Sequence, residues 1–333
     1  MNMKVILSGA AALLLVGCVT MGQHKGETPI PPGLLAKMNG NGMTAADPIL
    51  IRVFKKENEL EVWKRSTGGE YARLKTYPIC RWSGQLGPKI REGDRQTPEG
   101  FYTVGLDQLN PNSAFHLSFD LGFPNELDRA LGRTGSALMI HGACSSSGCY
   151  AMTDDGAAEL YALAREALRG GQDGIQVQAL PFRFTPENLA EQRSNRHVAF
   201  WRNLKEGSDH FEVTRRPPRV ASCGGRYVFA ANSAEPFVAS EPCPAYETDP
   251  EVASLVRTKA ERDDLAVARV VEGGRKPVTY TFADGSMHPS FKAILRTSGP
   301  ERLQKLTSGP VEIGSPLAAL AEPSVSVGDS EAR

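Results

Sequence analysis

Residues 139–152 read MIHGACSSSGCYAM, one histidine, two cysteines, three consecutive serines and two glycines placed directly after an apolar run. Three chemistries can use such a stretch. A zinc site needs about four ligands in a tetrahedral array. His141, Cys144 and Cys149 offer three, and no CxxC or HxxxH accompanies them. A disulfide is the second reading. Pairing Cys144 with Cys149 would close a very small loop and consume a reactive position; pairing Cys144 with Cys80 would leave Cys149 free. The third reading is a thiol nucleophile with a histidine base. Ser-Gly-Cys forms a tight turn shortly before the acidic start of a helix, where the amides of Ser147, Gly148 and Cys149 can stabilise an oxyanion. Gly148 has no side chain to obstruct a substrate. The thiolate is the strong nucleophile, and His141, ending a strand, can take the thiol proton and return it to a leaving amine. A lone histidine would more simply be a buried, hydrogen-bonded one. His141-Gly142 followed by Ser146-Ser147-Gly148-Cys149 favours the catalytic pair.

The N-terminus bears on which reading holds. Met1 to Lys4 is a short positive start, and Val5 to Val16 is apolar. That run is shorter than the roughly 20 residues a spanning helix needs and has the form of a secretory signal. It ends in Leu15-Val16-Gly17-Cys18, which resembles a bacterial lipobox, so Cys18 is expected to be lipidated and to hold the chain to a membrane. Val19, where aspartate is absent, points to the outer membrane and a periplasmic domain. Export places Cys80, Cys144, Cys149, Cys223 and Cys243 where disulfides form. Five is odd, so one thiol is left over unless it pairs between chains. Cys223 and Cys243 flank a Pro-rich segment and are expected to pair. The 38 basic residues balance the 38 acidic ones across 333 positions, which argues against nucleic acid as a partner.

Period and turn chemistry divide the chain. Residues 1–17 read as the signal and 18–47, rich in Gly and Pro, as a flexible tether. Ile49–Phe54, Leu60–Trp63 and Tyr71–Ile79 are short strands broken by KKEN and STGG, a β-meander. Residues 87–104 are loop and then extended, and 136–142 is a buried strand ending at His141. Apolar positions 157, 160, 161, 164 and 168, between a Thr/Asp cluster and two glycines, predict an amphipathic helix over 153–171. Another strand follows at 175–184, and Thr185-Pro186 starts a helix. The expected units are a catalytic domain at 48–184, a helical and Pro-rich addition at 185–270, and a largely irregular tail at 271–333. The class is β-rich α+β.

His141-Gly142 with Ser146-Ser147-Gly148-Cys149 resembles the active-site motif of the L,D-transpeptidase (YkuD-type) catalytic domain. Thr97 to Tyr102, TPEGFY, resembles a second element of that family. TYPICRWSGQLGPKIREGDRQTPEGFY, LNPNSAFHLSFDLGFPN and GRTGSALMIHGACSSSGCYAMTD are similar to its YafK-like murein branch, over about Ile51 to Val228. The resemblance implies a β-sandwich with flanking helices and a small C-terminal addition. It implies attack by Cys149 on the diaminopimelate carbonyl of a peptidoglycan stem tetrapeptide, with His141 as base, the Gly148 and Cys149 amides as oxyanion hole, and no cofactor or metal. Most members carry arginine two residues after the cysteine, where this chain has Ala151. Arg91, Arg95 and Arg133 are the candidates to bind the substrate carboxylate instead, and Trp82 is near enough in the motif to touch substrate. His116 is the nearest match to a further histidine of the family, with a structural role the simpler reading.

Three functions follow. The first is acyl transfer, crosslinking stems or attaching an outer-membrane lipoprotein through its lysine. The second is hydrolysis with the same residues, releasing protein or peptide from peptidoglycan. The third is a non-catalytic peptidoglycan-binding lipoprotein with a structural thiol.

Overall fold

The computed structural model describes residues 25–307 and 321–327. The expected leader and Cys18 lie outside the described residues. Strands β1 (Ile49–Phe54), β2 (Glu59–Arg65) and β3 (Tyr71–Pro78) form an antiparallel meander. It extends into a five-stranded sheet of order β3-β2-β1-β9-β4, with β4 at Gly100–Val104 and β9 at Ile175–Leu180. Strand β9 runs parallel to β1 and antiparallel to β4. All six residues of β1 are buried, as a central strand covered on both faces requires.

A second sheet, of order β5-β6-β7-β8, carries the motif: β5 (Leu109–Asn110), β6 (Ser118–Asp120), β7 (Met139–His141) and β8 (Tyr150–Ala151). Its Phe119, Ile140 and Tyr150 share one apolar core with Ile51, Val53 and Val177 of the first sheet. The fold is thus mixed α+β.

In the expected tether, helix α1 (Pro32–Gly40) forms instead, after a short 3-10 turn. Ile30, Leu34 and Met38 recur every fourth residue and are buried in the core, and the Arg165 guanidinium ties the preceding turn down through the Gly26 and Thr28 carbonyls. The glycines and prolines around this stripe mask it in the sequence. Helix α2 (Glu126–Ala130) follows β6, and α3 (Asp154–Arg169) follows β8. Thr153 caps α3 by accepting from the Gly156 amide at 3.2 Å, and Ala157, Leu160, Tyr161, Ala164 and Leu168 are its buried face.

The segment after β9 packs back on the first sheet through α4 (Pro186–Gln192) and α5 (Val198–Thr214). Trp201 and Leu204 of α5 enter the same core. Hairpin β10 (Val220–Cys223) and β11 (Arg226–Phe229) and helix α6 (Pro250–Glu272) follow. Cys223 and Cys243 are joined, with Cα atoms 4.9 Å apart. The expected irregular tail contains β12 (Val278–Thr281), α7 (Pro289–Gln304) and β13 (Ser324–Val327). Met287, Phe291 and Leu295, again four apart, bury against the Cys80–Cys144 disulfide. An i, i+4 stripe of three residues is short, which is why composition outweighs it in the sequence.

One buried ion pair holds these parts in place. Lys55, at the end of β1, lies 3.1 Å from Glu99, and both side chains are fully buried. The Lys55 ammonium also donates to the carbonyls of Gln85 (2.7 Å), Thr97 (2.9 Å) and Gly87 (3.2 Å). Glu99 accepts from the Gly87 amide and from Trp201 Nε1, each at 2.8 Å. Burial pushes the lysine below its usual range and Glu99 opposes that. Removing one partner of such a pair leaves a buried charge uncompensated. Glu99→Gln is therefore expected to destabilise the fold by about 3 kcal/mol in denaturant unfolding, and Lys55→Met in the same background to recover part of the loss. A neutral effect of Glu99→Gln alone would contradict this role for the pair.

Candidate active site

Strand register brings the motif together. Ile140 pairs with Tyr150 and His141 with Ala151 in the parallel β7–β8 ladder. Paired residues share a face, and Cys149 directly precedes β8 beside this ladder. Its sulfur lies 3.4 Å from the Met139 amide, from which it accepts, and 3.6 Å from the Ala137 carbonyl, to which the thiol donates. Cys149 is partly exposed and is the free cysteine among the described residues. Cys144 is bonded to Cys80, Cα atoms 5.2 Å apart, so it can neither ligate zinc nor pair with Cys149.

His141 Nδ1 lies 2.5 Å from the Gly142 carbonyl oxygen. A carbonyl only accepts, so Nδ1 carries the proton and Nε2 is left as the base. The ring packs against Phe115, centroids 4.8 Å apart. Ser118 stands opposite His141 in the β6–β7 ladder, and its buried hydroxyl has no hydrogen-bond partner among the described residues. Burial lowers the His141 pKa from its ordinary 6.5, with the Gly142 bond opposing. Burial also raises the Cys149 thiol from its ordinary 9.0; Asp120 adds to this, while the Met139 amide and Lys89 oppose it. Both shifts favour the neutral forms.

The turn between them is strained and braced. Ala143 and Cys144 both have positive φ, 64° and 50°. The Ala143 amide donates to Asp154 Oδ1 at 2.8 Å, and the disulfide fixes Cys144. Asp154 also lies 3.5 Å from His116, which places His116 beside this turn. Gly148 has φ of 120°, and a Cβ there would meet Leu138 Cδ2 at 3.1 Å, so glycine is required. Its amide, expected to face an oxyanion, donates instead to Ser83 Oγ at 2.6 Å. The competing acceptor is a buried hydroxyl that sequence spacing does not bring to mind. The amides of Ser147 and Cys149 take no acceptor among the described residues. Ser146 Oγ donates to the Cys149 carbonyl at 2.7 Å, and Thr97 of the TPEGFY element hydrogen-bonds Ser83, through its amide at 3.1 Å and its hydroxyl at 3.0 Å.

The other expected substrate contacts separate. Trp82 is fully buried and donates to Asn58 Oδ1 at 2.7 Å, so it packs and does not reach substrate. Arg133 is buried, bound to Asp128 at 2.8 Å and stacked over Phe200, so its fork is already engaged. Arg91 is exposed in a loop whose backbone is tied to Asp94. Arg95 is exposed and lies 3.5 Å from Asp284. Ser83, Ser118 and Asp154 are site residues the sequence reading missed, because strand pairing and a helix start bring them in.

The profile of the L,D-transpeptidase catalytic domain family, YkuD, matches residues 48–174. YafK of Escherichia coli (strain K12), named as a candidate L,D-transpeptidase, is 42% identical over 221 residues, 65% of this chain and 87% of YafK. Among solved structures, the helical cell shape determining protein Pgp2 of Campylobacter jejuni aligns at 15% identity and a TM-score of 0.32, covering 74% of this chain and 80% of Pgp2. Bd1075 of Bdellovibrio bacteriovorus aligns at 14% identity and a TM-score of 0.31, covering 62% of this chain and 95% of Bd1075. The structural alignments carry no argument at those scores, but the profile match and the long alignment with YafK show the family: the chain belongs to the L,D-transpeptidase catalytic domain family.

Proposed function

We propose that the chain is a cysteine-dependent L,D-transpeptidase that acts on peptidoglycan stem peptides through a Cys149 thioester. The observation that carries this is the Nδ1–Gly142 bond, which leaves His141 Nε2 as a base, together with a free thiol held by the Met139 amide two residues before His141. The substrate class follows from the family. In the first step the thiol proton passes to Nε2 as sulfur attacks the diaminopimelate carbonyl. In this reading the amides of Ser147 and Cys149 stabilise the oxyanion. Collapse breaks the peptide bond, His141 returns the proton to the leaving D-Ala amine, and a thioester remains. An acceptor amine then attacks and gives up a proton to His141, and the thiol is regenerated. Water in place of the amine gives hydrolysis. A lipoprotein lysine is one such acceptor.

We further infer an exported domain with Cys18 as a lipid anchor to the outer membrane. The apolar leader and the two disulfides support this reading, since such bonds persist in oxidising compartments. No described helix is long and apolar enough to cross a membrane.

Two measurements check the chemistry. With a disaccharide-tetrapeptide, Cys149→Ala is expected to abolish D-Ala release, and His141→Ala to slow it by about 10²–10⁴-fold. An added amine acceptor yields a new amide if transfer dominates, and tripeptide alone if hydrolysis does. Wild-type rates in Cys149→Ala would contradict the thioester. The second is the pH profile of kcat/KM. His141 must be neutral to act, so activity falls as acid protonates it. Its lowered pKa places that acid limb below 6.5, and the raised thiol places the corresponding thiol limb above 9.0. An acid limb above 6.5 would contradict this reading.

A further inference from the structure

Arg81 sits beside the catalytic strand and is incompletely satisfied. Its backbone exchanges two hydrogen bonds with Ala151, Arg81 N to the Ala151 carbonyl at 3.0 Å and Ala151 N to the Arg81 carbonyl at 2.8 Å. Directly paired residues share a face. The registers Ser118↔His141, His141↔Ala151 and Arg81↔Ala151 therefore set His141, the small Ala151 side chain and Arg81 in one row across the sheet. The Arg81 side chain is 2% exposed, and Nη2 donates to Asp284 Oδ2 at 3.1 Å. Nη1 is buried with no hydrogen-bond partner among the described residues. An orphaned guanidinium donor is costly, because its desolvation is uncompensated.

Arg95 shares the same carboxylate. Its Nη2 lies 3.5 Å from both oxygens of Asp284, and its side chain is 53% exposed. Its carbonyl accepts from Ser83 Oγ at 2.7 Å, the hydroxyl that holds the Gly148 amide. Two guanidinium groups thus face one carboxylate beside the catalytic turn. Burial and the Arg95 charge both act against the Arg81 charge, and Asp284 supports it.

Asp284 arrives on a short arch. Phe282 is fixed by two bonds to Gln85, at 2.7 Å and 2.8 Å. Ser286 is fixed by two backbone bonds to Trp82, each 3.1 Å. Only three residues lie between these anchors, with the partly exposed Asp284 at the centre. Rotation of its side chain frees both arginines without moving the anchors.

We propose that Arg81 and Arg95 form the subsite for a free carboxylate of the peptide substrate, with Asp284 as the resident counter-ion that the substrate displaces. This rests on the stem-peptide reading above. The net positive charge, the planar donors and the unfilled Nη1 suit a carboxylate. Asp284 therefore competes with substrate from within the chain.

The test is binding, so that it does not depend on turnover. Full-length Cys149→Ala protein is titrated calorimetrically with disaccharide-tetrapeptide, and with three analogues in which the terminal D-Ala, the diaminopimelate side-chain or the D-Glu α-carboxylate is amidated. Adding Asp284→Asn should tighten binding of the free acid roughly five-fold, and adding Arg95→Gln should weaken it by a similar factor. One of the amidated analogues should show neither change, and that analogue names the carboxylate being bound. If Asp284→Asn and Arg95→Gln alter all four ligands equally, or none, the two arginines merely pin the C-terminal segment and the proposal is overturned. Tetrapeptide turnover by the wild-type enzyme in that case leaves the transpeptidase reading standing. Failure of every stem peptide to bind or turn over would sink both.

Discussion

The buried pair of Lys55 and Glu99 is the constraint on which the site depends. An ammonium removed from water must find a full set of acceptors. Here they come from Glu99 and from the carbonyls of Gln85, Gly87 and Thr97. Meeting that demand fixes the path of the loop between β3 and β4. The loop carries Ser83 and Thr97, and these in turn hold the Gly148 amide and the motif's backbone. Glu99 also receives Trp201 from α5. One charge pair therefore joins the first sheet, the turn before Cys149 and the following helices.

A second brace acts on the turn itself. Consecutive positive φ angles at Ala143 and Cys144 cost free energy that the surroundings must offset. The disulfide to Cys80 and the Asp154 carboxylate do so, and α7 covers the disulfide with Met287, Phe291 and Leu295. The C-terminal segment thus belongs to the architecture of the site. It supports the disulfide on one flank and delivers Asp284 to Arg81 on another. Burial pushes the His141 imidazole down and the Cys149 thiol up, and both shifts favour the neutral forms.

Much of this was legible in residue order. The meander, α3 after its Thr/Asp cluster, and the Thr185-Pro186 helix start follow from alternation, a 3.6-residue period and capping chemistry, all local signals. His141, which ends β7, and Cys149, which precedes β8, stand out as candidates because they share one short motif. What was not legible depends on pairing between distant segments. Ser83 reaches Gly148, Ser118 faces His141, and Arg81 lies beside Ala151 only once the sheet closes. Trp82 and Arg133, expected near substrate from their place in the motif region, are drawn inward by Asn58 and Asp128. Helices α1 and α7 were hidden by Gly- and Pro-rich composition, although each carries apolar residues four apart.

The central claim is that Cys149 forms a covalent acyl bond with the stem peptide. Intact-mass spectrometry of the protein, quenched in acid during turnover of a disaccharide-tetrapeptide, tests it most directly. The account predicts a mass gain equal to the substrate less D-Ala, located on Cys149 and released by hydroxylamine. D-Ala release by the wild-type enzyme with no adduct at any quench time, and undiminished release by Cys149→Ala, would contradict it.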